Sequence, residues 1–164
     1  VSVFSYSSTL QIKPTWTESL DVTDVTDRVS SKFTVELADG TGDNQADAYW
    51  KDVLTVATLA TELLDLTALS TTFMGGTGTL NFASVKALLL INQSTTDSIT
   101  VGGVTANQWT ALAADTLTVG PSGQLYVASP LGGFVTSSTD KVVALTNSGS
   151  AAVDVEIYVI GVLA

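Results

Sequence analysis

Apolar and polar positions alternate along most of the chain in short extended segments separated by turn residues. In residues 82–103, "FASVKALLLINQSTTDSITVGG", Val85, Ala87, Leu89 and Ile91 fall on one face of a strand and Lys86, Leu88 and Leu90 on the other. Such a strand is covered on both sides for most of its length. The polar run "QSTTDS" then predicts a turn, Ile99 and Val101 share one face of a second strand, and Gly102-Gly103 ends it. The stretch is therefore expected to form a β-hairpin. Downstream, "DTLTVG" alternates Leu117 and Val119 with Thr116 and Thr118, and Pro121-Ser122-Gly123 reads as a turn because proline presets φ while glycine accepts positive values. "QLYVAS", "KVVALTN" and "AVDVEIYVIGVLA" follow as strands, with "PLGG" and "SGS" as punctuation. Upstream, "SSKFTVELADGTG" alternates Phe33, Val35 and Leu37 with Lys32, Thr34 and Glu36 before turning at Asp39-Gly40, and "KDVLTVAT" reads as another strand.

Two segments are less regular. In "LATELLDLTAL", Leu59, Leu63 and Leu66 have helical spacing, but the threonine content and the lack of an N-terminal capping signal favour a strand. "ANQWTALA", residues 106–113, fits one helical turn between strands. Strands recurring every ~8–12 residues with turn signals between them predict an all-β fold. We expect an antiparallel β-sandwich, jelly-roll-like, with at most one or two short helical turns. A chain of 164 residues is expected to be a single domain, residues 1–164, large enough to bury a real core. At its start, "VSVFSYSSTLQIKPTW" alternates Val1, Val3 and Ser5 against Ser2, Phe4 and Tyr6 and then meets Pro14, so residues 1–14 are expected to be an extended arm or edge strand. Such an arm can pair with a neighbour's sheet edge through main-chain hydrogen bonds.

Charge narrows the partners. Only 13% of residues are charged, with 16 acidic against 6 basic and a net charge of −10, which repels nucleic acid and anionic membranes and keeps copies of a β-rich protein apart in solution. No cysteine is present to form a disulfide framework. "VSVFSYSSTLQIKP" lacks the charged and unbroken apolar regions of a signal peptide, and the run Ala87 to Ile91 is far too short to span a bilayer. The expectation is a soluble globular protein with neither nucleic acid nor membrane as a partner.

With no histidine and no cysteine, the commonest general base, the commonest transition-metal ligands and the usual nucleophile arrangements are missing. Catalysis would have to run on Lys, Ser and Tyr or on carboxylates, which need to converge at ~5–10 Å. Asp154 and Glu156 share one strand face opposite Val153, Val155 and Ile157, the pattern of a solvated face rather than of a catalytic pair. The spacing Asp21, Asp24, Asp27 and the run "DGTGDN" at 39–44 raise calcium, but neither matches the EF-hand pattern, and both read as polar turns. "VGGV" and "GGTG" match no phosphate-binding loop. Trp16, Trp50 and Trp109 are candidate sugar platforms, although aromatics in a sandwich mostly serve core or interface. No enzyme activity, cofactor or metal is expected.

From residue 40 onward, about three quarters of the chain, the succession of segments resembles small all-β structural proteins of tailed bacteriophages. The likeness rests on the "NQAD-x-x-W" approach at 44–50, the "F-x-x-V-K" strand entry at 82–86, the "TVGG" turn at 100–103 and the "TNSGSA" hairpin at 146–151. The resemblance implies a virion component, foremost a decoration (cement) protein on the capsid exterior, with the major capsid protein or other virion subunits as partners. A tail, collar or fibre component and a host-glycan-binding module are the alternatives. The protein is expected to be a homo-oligomer, with a trimer favoured. In the last strand, Asp154 and Glu156 share a face with Tyr158, Ile160 and Val162, so the apolar half of that face must be covered by the same domain or by another subunit. Val1, Val3, Phe4, Tyr6, Tyr158, Ile160 and Val162 are the candidate subunit or capsid contacts.

Overall fold

The alternation is realised as a two-stranded ribbon and a two-sheet sandwich in the computed structural model, which describes residues 3–19, 23–73, 76–103, 106–112 and 116–164. The ribbon comprises β1 (Tyr6–Ile12), β2 (Thr15–Ser19), β3 (Asp24–Arg28) and β4 (Ser31–Asp39), and the two-residue β5 (Gln45–Ala46) pairs in parallel with the end of β4. β6 (Ala48–Val56) and β7 (Thr61–Asp65) open the sandwich, and the hairpin of β8 (Leu69–Phe73) and β9 (Gly76–Leu80) leads into β10 (Phe82–Asn92). The rest of the sandwich is β11 (Ile99–Gly102), a 3₁₀ turn at Thr110–Leu112, β12 (Thr116–Val119), β13 (Gln124–Ala128), β14 (Phe134–Val135), β15 (Val142–Asn147) and β16 (Val153–Leu163). The ambiguous segment at 59–69 thus forms β7 and the start of β8 with a turn between them, and the helical turn expected within 106–113 is found at Thr110–Leu112.

The larger sheet has the order β13-β10-β16-β6, with β14 also on β10, and the smaller β12-β11-β15-β7; all of these pairs are antiparallel. The connections β6–β7, β10–β11, β12–β13 and β15–β16 each pass from one sheet to the other, which is the winding of a jelly roll. This corrects two hairpin expectations. Residues 82–103 and the "TNSGSA" segment are sheet-crossing corners. β10 is already flanked by β16 on one side and by β13 and β14 on the other, so β11 has no free edge to join.

Two buried asparagines hold these corners. The Asn92 Nδ2 group donates to Asp97 O in the β10–β11 corner and to Val119 O and Gly120 O in the β12–β13 corner, while its Oδ1 accepts from Ser94 N. Asn147 Nδ2 donates to Val56 O in the β6–β7 corner and to Ala151 O in the β15–β16 corner, and its Oδ1 accepts from Gly149 N. Backbone groups turned inward where a strand leaves its sheet need such partners.

Between the sheets lies one core: Val153, Val155, Ile157 and Val159 of β16, Phe82, Val85, Leu88 and Leu90 of β10, and Ile99, Val101, Val143 and Leu145 of the smaller sheet. Trp50 and Trp109 are buried in it, and Trp109 meets Phe134 edge-on at 5.6 Å. Bulges shift the β10–β16 register near Ala83 and Lys86, and there the chains approach so closely that a Cβ on Gly161 would collide with Ser84 O.

Candidate interaction surface

Cross-strand partners in the ribbon keep one register from Tyr6↔Leu37 through Ile12↔Ser31 and on from Thr15↔Arg28 to Ser19↔Asp24, with two residues on each strand between the paired blocks. Alternation therefore runs unbroken along the ribbon, since directly opposed residues share a face. One face carries Ser7, Thr9, Gln11, Lys13, Thr15, Thr17 and Ser19 against Glu36, Thr34, Lys32, Ser30, Arg28, Thr26 and Asp24: every position is polar. The other carries Tyr6, Leu10, Ile12, Pro14 and Trp16 against Leu37, Val35, Phe33, Val29 and Val25, interrupted by Ser8, Ser31, Glu18 and Asp27.

The base of the apolar face is docked on the outer face of the larger sheet, where Leu37, Ala46, Ala87 and Ile160 form a second buried cluster with Phe4, Tyr6, Val35, Ala128 and Tyr158 around it. Phe4 stacks beside Tyr49 on β6 at 6.4 Å, and Ser8 Oγ is 2.7 Å from the Tyr126 hydroxyl on β13. The ribbon thus crosses the sheet from one edge strand to the other. Burial pushes the Tyr6 phenol up to about 12, with the nearby Tyr126 hydroxyl adding to the rise and Ser8 opposing it.

Beyond Ser8 the cover ends. Leu10, Ile12, Val25 and Val29 are exposed, as are Phe33 (60%) and Trp16 (73%). β2 and β3 have no buried residue. At ~3.4 Å per residue, the ten or so residues past Ser8 reach roughly 35 Å.

The sequence-derived contacts divide accordingly. Val1 lies outside the described residues. Val3 is exposed, while Phe4, Tyr6 and Tyr158 are half-buried where ribbon meets sheet. Ile160 (4%) and Val162 (8%) are buried by the chain itself, leaving neither on the surface of a single copy. What covers the apolar half of β16 is the ribbon and the segment before β6, where Asp47 N donates to Gly161 O and Leu163 N to Asp47 Oδ1.

The carboxylates singled out by sequence have local structural partners. Asp154 accepts from Thr55 Oγ1 at 2.6 Å. Glu156 accepts from Lys51 Nζ and the Tyr158 hydroxyl, both at 2.7 Å, and from Gln93 Nε2 at 3.1 Å; the Lys51 ammonium, followed by Tyr158, holds this carboxyl below its usual range. Asp24 and Asp27 point to opposite faces of the ribbon, and Asp21 lies outside the described residues. A groove of about 630 Å³ runs between β6 and the β8–β9 hairpin, lined by Lys51, Asp52, Ser70, Thr71, Thr72, Thr77, Gly78 and Thr79. Comparison of the chain with protein-family models, curated proteins and solved structures finds no match.

Proposed function

We propose that this protein is a non-enzymatic structural component of a tailed-phage virion, a decoration protein on the exterior of the capsid. The observation that carries this reading is the amphipathic ribbon projecting from a jelly-roll body. A protein that cements a shell needs a stiff body and an adhesive surface, and a sandwich with an uncovered apolar arm supplies both. The likeness of residues 40–164 to phage structural proteins supplies the virion context. Immunogold labelling of purified particles with antibody to this chain tests the proposal. Label spread over the heads is the expected result, together with a lower breakage temperature for heads lacking the protein and recovery when it is added back. Label confined to the tail overturns the capsid assignment, and unlabelled particles overturn the virion assignment.

A second reading, a host-glycan-binding module, is favoured by one feature: the groove lined by serine and threonine residues of the β8–β9 hairpin beside Lys51 and Asp52. Tail labelling with retention of the protein on a glycan surface would select it.

A further inference from the structure

Each copy has two uncovered surfaces that fit one another, and we propose that the ribbon of one copy lies on the outer face of the larger sheet of a second copy. The ribbon's own base already shows the mode of docking. Residues in register across that sheet form rows: Tyr49–Ile160–Ala87–Ala128, then Lys51–Tyr158–Leu89–Tyr126, then Val53–Glu156–Ile91–Gln124. The first row and part of the second lie under Phe4, Tyr6, Val35 and Leu37 of the same chain. The third stays open toward β6, with Val53 44% exposed and Ile91 half-buried, while at its β13 end Gln124 lines a pocket with Leu10 of the same chain's ribbon. A second ribbon laid beside the first would cover it, as the first covers its own row. The chain's own outer ribbon does not serve, because after Ser8 it leaves over the β13 edge.

Area and charge both favour a second copy as the occupant. Trp16 and Phe33 alone expose roughly 300 Å², taking aromatic side chains at 150–250 Å² each. Four half-exposed aliphatic residues beside them carry the patch beyond the ~300–600 Å² that bounds the largest patch of an ordinary monomer. An isolated two-stranded ribbon is also at best marginally stable in water, so its outer half gains order from a cover.

Residues 6–37 hold three of the six basic side chains, Lys13, Arg28 and Lys32, and five of the sixteen acidic ones. The remaining residues carry eleven acids against three bases, or eight of the ten net negative charges. In that body Lys51 and Lys141 are ion-paired, with Glu156 and Asp65, and Lys86 is buried with its Nζ on Leu131 O. The ribbon's three cations lie in its exposed middle, on the polar face behind Leu10, Ile12, Val29 and Phe33, with no acid at residues 10–15 or 28–33. The open row contains Glu156, ion-paired with Lys51, and is followed on the same face by Asp154. The middle of the ribbon thus brings net positive charge, carried on the face turned away from the contact, to a body that holds most of the net negative charge, and docking lessens the self-repulsion that would otherwise hold copies apart.

This inference takes the ribbon as adhesive, as the proposed function does, but it is tested on purified protein alone, so either can fail without the other. Light scattering should give a multiple of the 16.9 kDa chain mass. Phe33→Asp and Val53→Asp should each return it to the monomer with an unchanged circular dichroism spectrum, since both side chains are exposed. The chain has no cysteine, so mixing a size-tagged Ile12→Cys variant with an untagged Val53→Cys variant and adding a short bis-maleimide should yield the mixed dimer. A monomeric wild type overturns the proposal. So do assembly that survives Val53→Asp, an Ile12→Cys homodimer formed in place of the mixed product, and, when Ile12→Cys and Val53→Cys are combined in one chain, a link confined within that chain.

Discussion

At the scale of single residues, Asn92 and Asn147 stand where the fold turns from one sheet to the other. Each is fully buried, and each ties together two corners that join the sheets. Apolar replacement of Asn147 by Leu leaves Val56 O, Ala151 O and Gly149 N without their partner in a dry environment. With ~1–3 kcal/mol lost for each unsatisfied buried group and some relief from water, Asn147→Leu is expected to cost about 3 kcal/mol. For a chain of this size that corresponds to a fall in Tm of roughly 6–12 °C, readable by calorimetry. A loss below ~1 kcal/mol would mean that backbone hydrogen bonds alone hold the corners. These asparagines carry no periodic signature. "LLINQS" and "ALTNSG" read simply as strand followed by turn, so their role came only from the structure.

At the scale of elements, alternation was enough to place strands, because side-chain period is a local property. It located β4, β6, β10, β11, β12, β13, β15 and β16, and thereby the all-β class. Pairing is not local, and there the reading failed: short turns at 93–98 and 148–152 look the same whether a chain folds back beside itself or crosses to a facing sheet. The extent of the ribbon was missed for a related reason. Alternation marks its first strand up to Pro14, but the spacing of Asp21, Asp24 and Asp27 reads as polar turns, while Leu10, Ile12 and Trp16 share one face with Phe33, Val29 and Val25 only once β2 pairs antiparallel with β3. Trp16 reports on this element directly. Trp50 and Trp109 are buried, so in monomeric protein Trp16→Phe should remove nearly all acrylamide-quenchable tryptophan emission while leaving the buried fraction intact. Retention of the quenchable fraction in Trp16→Phe would place a sandwich tryptophan at the surface and contradict the burial described.

At the scale of the whole molecule, stability at low pH sets two effects against each other. Acidification relieves the self-repulsion of a net charge of −10, which favours the folded state. It also protonates carboxylates that are better placed folded than unfolded. Partial burial pushes the Asp65 carboxyl up, but hydrogen bonds from Lys141 and Thr67 outweigh it and leave the group below its ordinary value. Glu156 is held low by Lys51 and Tyr158. A carboxyl whose folded pKa is depressed stabilises the fold above its unfolded pKa, near 4, and that contribution is lost as pH falls through the folded value. Asp65 joins β7 to Lys141 at the start of β15, and Glu156 joins β16 to β6, so both losses fall on strand pairs within the sheets. General repulsion is spread over the surface and screened by salt, whereas these contacts are short and partly shielded. The local term is therefore expected to win, and Tm should decline as pH drops below about 5 in physiological salt. In Asp65→Asn/Glu156→Gln, Tm should be lower at neutral pH but flatter across the acid limb. An equally steep acid limb in the double variant would assign the lability to other carboxylates, and a Tm that rises on acidification would show that repulsion dominates.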